Sequence, residues 1–172
     1  MFFLRMGILM ADRVEVAYRW WCAILKVGIF LFFAAEVYSC LYRWIDSPHF
    51  SVTQRLLGLA IDGVSLVLLF ASQLSVIKLS RVVRSERIFS HDAMRQARGV
   101  FIYFLAWTLY VPVQRTLEGL VFTLHNPVGH RILAVVIGTP DFIRVVILAI
   151  LAFFMFVLQR GIDLSEEQSL TI

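Results

Sequence analysis

Five ionisable residues, Glu36, Asp62, Arg115, Glu118 and Arg144, lie inside long apolar stretches of this chain. A lone charge at the centre of a membrane helix costs about 2.5 to 3.5 kcal/mol on insertion scales, so such residues pair, meet water or serve a ligand or proton. Arg115 and Glu118 are three apart and share a helical face, and a guanidinium suits a carboxylate in a bidentate contact. Mutual pairing leaves one carboxylate over, because three acids face two arginines. Two readings stay open. Either the charges lock helices together, or the extra carboxylate, with Tyr110 and Gln114, lines an outward-facing cavity for a cationic or zwitterionic ligand or a proton.

The composition says what kind of element carries these residues. Hydrophobic residues fill 60% of the 172 positions and mean hydropathy is +0.81, against roughly 45 to 50% apolar usage in soluble domains. An integral membrane protein is expected. A chain of this length holds about four spans of ~20 residues with short connections and leaves no room for a separate globular domain. The predicted fold is an all-α bundle of four transmembrane helices in one domain.

The first span reads from about Trp20 to Leu41, with aromatic belts at Trp20-Trp21 and at Tyr42 and Trp44. The second runs from about Leu56 to Leu79, the third from about Val100 to Leu124 and the fourth from about Phe142 to Leu158. Pro112 lies inside the third and predicts a kink or local unwinding near Thr108, since proline removes a backbone donor. Gly161 after Arg160 suits a helix C-cap, leaving 161–172 as a polar tail.

Between the second and third spans lies a basic loop, 80–98, in which Ser90 reads as an N-cap, Asp92 complements the helix dipole, and Phe89 and Met94 have staple spacing. The later connection contains an Asn126-Pro127 turn and the apolar run Ile132 to Ile137, too short to span and suited to a β-segment or interfacial plug.

Lys and Arg set the orientation. Three in the N-terminal segment, six from Lys78 to Arg98 and one in the tail oppose three on the other side, Arg43, Arg55 and Arg131. Both termini and the basic loop are therefore expected in the cytoplasm. This threading places all five intramembrane charges roughly 5 to 14 Å below the outer surface, a depth at which they can meet in one layer. Lys26 lies near the inner boundary, where its stem can snorkel to the headgroups.

Other chemistry is not indicated. Arg5, Asp12, Arg13, Glu15 and Arg19 interrupt the start of the chain, so no cleavable signal is expected. Cys22 and Cys40 are eighteen residues apart on one helix, roughly 27 Å, and cannot pair. His49, His125 and His130 match no metal motif. No nucleophile elbow, phosphate loop, dinucleotide fingerprint or HExxH pattern occurs. The basic loop lacks a recognition helix, so no direct nucleic-acid binding is expected; contact with anionic lipid accounts for its charge. No cofactor or metal is called for.

Three segments carry a resemblance. They are the loop from Leu79-Ser80-Arg81 through Arg87-Ile88-Phe89-Ser90 to Ala97-Arg98-Gly99, the outer loop from His125-Asn126-Pro127 to Arg131, and the acidic tail ending Leu170-Thr171-Ile172. Together they resemble a bacterial family of small four-span membrane proteins catalogued as domain of unknown function 2975, over nearly the whole chain. Ser169, where an acid is usual, and Ser85, where a loop glycine is usual, depart from its pattern. The resemblance implies a multi-pass protein of the bacterial cytoplasmic membrane. It also implies, by association, a partnership with a small helix-turn-helix regulator of the XRE class.

The expected function is a non-enzymatic inner-membrane sensor or anchor. Its charged layer biases helix packing, and a cytoplasmic face made of Arg81, Arg84, Arg87, Glu166, Glu167 and Gln168 docks the regulator. Ser165 and Gln168, at capping-box spacing, would let the tail form one helical turn. The alternative is a small transporter or channel that uses the same charges for proton or cation coupling.

Overall fold

The computed structural model describes residues 2–46, 50–84, 89–124, 126–127, 130, 134–135 and 137–170, the side chains of 2–15, 17, 84, 169 and 170 excepted. Four helices follow in order: α1 (Phe2–Ile45), α2 (Val52–Arg84), α3 (His91–Phe122) and α4 (Thr139–Leu170). No strand occurs among the described residues. Three helices contain stretches long and apolar enough to cross a membrane, Tyr18–Ile45 in α1, Val52–Val83 in α2 and Thr139–Gln168 in α4.

Local chemistry sets the helix starts. Ser51 and Gln54 form a reciprocal box at the head of α2: the Ser51 amide donates to Gln54 Oε1 at 3.0 Å and the Gln54 amide donates to Ser51 Oγ at 3.3 Å. Ser90 caps α3 in an extended conformation, accepting from the Ala93 amide at 3.2 Å, with Asp92 in the first turn. The residues between α2 and α3 therefore number far fewer than the expected 80–98 loop, because both helices reach into it. Arg84 belongs to α2, its side chain outside the described set, and Ser85, Glu86 and Arg87 lie wholly outside it.

Each helix packs on its neighbour in sequence, α1 on α2, α2 on α3 and α3 on α4, with the α2–α3 contact the most extensive. Small residues make that contact close: a Cβ on Gly99 would stand 3.4 Å from Ser75 Oγ. At one end of the bundle Cys40, Trp44 and Val121 form a core; midway Leu69, Trp107 and Val111 form another; at the far end Ala93, Met94 and Ala97 enclose Leu158 and Ile162. Large apolar side chains of α1 and α4 such as Phe30 and Phe153 point outward, 68% and 67% exposed. A soluble monomer rarely shows so much apolar surface, and helices built for hydrocarbon do.

Two expectations about helix ends and interruptions are corrected. Gly161 is no C-cap: α4 continues to Leu170, so the supposed tail is mostly helix and Ser165 lies inside it. Packing explains this, because Ile162 is buried against α3 and a side chain on Gly161 would collide with the ring of Phe89. Pro112 likewise does not interrupt α3, which is continuous from His91 to Phe122. The Thr108 and Thr116 hydroxyls donate to the Phe104 and Pro112 carbonyls, at 2.8 and 2.9 Å, within a helix already clamped by α2. In the last connection Ala134, Val135 and Ile137 are neither helix nor strand, and the rest of the 132–137 run lies outside the described residues.

Candidate functional site

The charged residues gather at the end of the bundle where α1 ends and α4 begins, in two clusters. Asp62 of α2 is 3% exposed and accepts from Trp44 Nε1 at 2.7 Å and from Gln114 Nε2 at 2.8 Å. The same Gln114 amide donates to Glu118 Oε1 at 2.8 Å. Arg43 Nη1 closes the group, 2.8 Å from Glu118 Oε2 and 3.8 Å from Asp62 Oδ2. Trp44 reaches Asp62 because Gly58 leaves its indole a place against α2; a Cβ there would overlap the ring. Tyr110 donates to the Ile61 carbonyl at 2.9 Å.

Glu36 stands beside this group. With Ser39, Arg43, Asp62, Ser65 and Gln114 it borders a polar pocket of about 30 Å³, roughly the share of liquid volume held by one water. Among the described residues Glu36 has neither an ion-pair nor a hydrogen-bond partner. Asp62 and Glu118 thus flank the Arg43 guanidinium, and the third carboxylate, Glu36, faces the small pocket beside them.

The second cluster centres on Asp141 in the first turn of α4. Arg115 Nη1 and Arg144 Nη1 each donate to it at 2.6 Å, and the Gly138 amide donates at 2.8 Å. The Arg144 guanidinium lies 4.8 Å from the centroid of the Trp107 ring. Arg115 and Glu118, three residues apart on one helix, thus serve different clusters, and the five residues read as one layer divide into two groups. Arg43 and Asp141, the partners that complete them, were missed because both sit just outside the predicted spans. Asp141 carried one usable signal, its place three residues before Arg144.

A larger cavity of about 530 Å³ lies between all four helices, bordered by Ile29, Gln73, Trp107, Ile143, Arg144 and Ile147 among others. Its walls are almost wholly apolar. That volume falls within the range of about 300–1,000 Å³ usual for ligand sites. Gln73 is 8% exposed and its Oε1 has no hydrogen-bond partner among the described residues.

At the opposite end of the bundle the expected docking residues divide. Arg81 is exposed on α2; Glu166, Glu167 and Gln168 are exposed on the last turns of α4. His91 Nε2 lies 2.9 Å from Glu166 Oε1, bringing the end of α4 to the start of α3. His49 and His125 lie outside the described residues, and no cluster of three or more His, Cys, Asp or Glu suited to a metal occurs among the described ones.

Over residues 13–172 the chain matches the family described as protein of unknown function (DUF2975). The chain belongs to the DUF2975 family. In this member the matched region holds the α1–α2, α2–α3 and α3–α4 contacts and both charged clusters. No curated protein and no solved structure matches it.

Proposed function

We propose that this DUF2975 protein is a four-span protein of the bacterial cytoplasmic membrane, both ends cytoplasmic, acting without catalysis as a sensor or anchor for a small XRE-class helix-turn-helix regulator. The observation that supports it most is the continuity of α4. One unbroken helix runs from Ile143, Arg144 and Ile147 at the central cavity to Glu166, Glu167 and Gln168 beside His91. A ligand in the cavity that favours one tilt of α4 would shift its acidic end against α3, and only a difference in affinity between the two packings transmits anything. The apolar cavity suits a hydrophobic ligand. α3, whose composition is less apolar, spans as the most enclosed helix, held between α2 and α4.

The test is recovery of the regulator by the membrane-embedded full chain. Truncation after Arg160 would also delete the buried Ile162, so charge reversal is the cleaner change. Glu166→Lys with Glu167→Lys should abolish recovery at equal abundance, and no recovery by the unaltered chain would end the anchor reading.

A second reading is favoured by the intramembrane carboxylates Asp62, Glu118 and Glu36 near Arg43, which suit proton or cation coupling in a small transporter. Cation-driven flux into proteoliposomes, lost with Asp62→Asn, would put transport first.

A further inference from the structure

On the outer side of the α1–α2 pair a groove of about 350 Å³ combines two features that do not belong together in hydrocarbon. Its body is aromatic: Phe30 and Phe33 from α1 and Phe70 from α2 border it, with the Phe33 and Phe70 rings 5.2 Å apart. Lys26 and Arg81 border it as well. Both cations are exposed, and among the described residues neither has an ion-pair partner.

Lys26 lies well inside the apolar stretch that starts at Tyr18. An ammonium at that depth is costly unless an anion or the interface receives it. The Tyr18 hydroxyl donates to the Ser80 carbonyl at 2.6 Å and fixes how α1 lies along α2. With the helices antiparallel, this bond and the Phe33–Phe70 and Trp44–Gly58 contacts set Arg81 at the interfacial end of the groove and Lys26 about one turn deeper, level with Ile77. The ammonium and the guanidinium can thus reach toward one anion from below and above. Gln73 also borders the groove and keeps an unpartnered Oε1.

We infer that this groove seats one anionic phospholipid of the leaflet at the Arg81 end, its phosphate between Lys26 and Arg81 and one acyl chain along Phe30, Phe33 and Phe70. The apolar body selects a lipid over a free phosphate, because only a molecule with a chain buries against those rings. The two cations select an anionic headgroup over a zwitterionic one. This goes beyond regulator docking and does not depend on it, since Lys26 lies within the apolar stretch and out of reach of a cytoplasmic protein.

The experiment is native mass spectrometry of the full chain released from detergent, offered equal amounts of phosphatidylglycerol and phosphatidylcholine of matched chains. Phosphatidylglycerol adducts should dominate, and Lys26→Gln and Arg81→Gln should each weaken them about fivefold, one interfacial charge apiece. Lys78→Gln, outside the groove, should leave them unchanged, and Lys26→Arg should retain them. Circular dichroism confirms that each variant keeps its helices. Equal retention of the two lipids, or unchanged preference in the Lys26→Gln/Arg81→Gln double variant, would overturn the site. Displacement of the lipid by millimolar glycerol phosphate alone would overturn the requirement for the chain.

Discussion

Trp107 donates its indole N–H to the hydroxyl of Ser65 at 2.9 Å, across the α3–α2 interface. Ser65 borders the small polar pocket and Trp107 borders the central cavity, so one bond joins the walls of both. Trp107→Phe keeps an aromatic ring and removes the donor, which should cost about 0.5–1.5 kcal/mol. Adding Ser65→Ala to that variant should then cost little more. Fully additive losses in a thermal double-mutant cycle would show that the two residues do not act together.

Arg115 pairs with Asp141 although Glu118 is its neighbour along the helix. Arg115→Glu should lower folded yield, judged by size-exclusion chromatography in detergent, and a compensating Glu118→Arg should fail to restore it. Recovery of the double variant would mean that the two residues are partners.

The carboxylates Asp62, Glu118 and Glu36 should respond unequally. Asp62 and Glu118 accept charge-assisted bonds from enclosed donors, each worth about 1.5–3 kcal/mol, so Asp62→Asn and Glu118→Gln should destabilise clearly. Glu36→Gln should be close to neutral in thermal unfolding. A large loss at Glu36 would reveal a structural role that its surroundings do not suggest.

Two glycines make a matched comparison. Gly58→Ala pushes on Trp44, which is 0% exposed and anchored to Asp62, so overpacking of about 1–3 kcal/mol is expected. Gly161→Ala pushes on Phe89, which is 54% exposed and free to swing outward, and should cost less. Equal losses by chemical denaturation would show that Phe89 is held as firmly as Trp44.

The sequence discloses the helical class and three strongly apolar stretches because hydropathy is a local signal, and the Ser90 cap because its chemistry is local too. Where packing decides, reading fails. Gly161 has the local look of a helix end, yet Ile162 is drawn into the α3 contact and carries the helix on. The charged residues were visible as costly, but their partners were not: nothing short of the fold tells Arg115 to choose Asp141, twenty-six residues away, over Glu118 on its own face. Arg43 was read only as a boundary charge, since its partners come from two other helices.

Because the closest backbone packing is between helices consecutive in the chain, most of the bundle can assemble in the order in which a ribosome delivers it. The end of α1 alone waits for α3, which brings Glu118 to Arg43 and Phe122 to Trp44. The α1–α2 hairpin can close on its Tyr18–Ser80 bond before α3 emerges, and the pair Asp62 and Glu118 forms once α3 follows. The Asp141 cluster, the Leu158 and Ile162 contacts and the His91–Glu166 pair await the last helix. Synthesis stalled before Thr139 should therefore leave a three-helix intermediate with Arg115 lacking its acid, a recognisable substrate for membrane quality control.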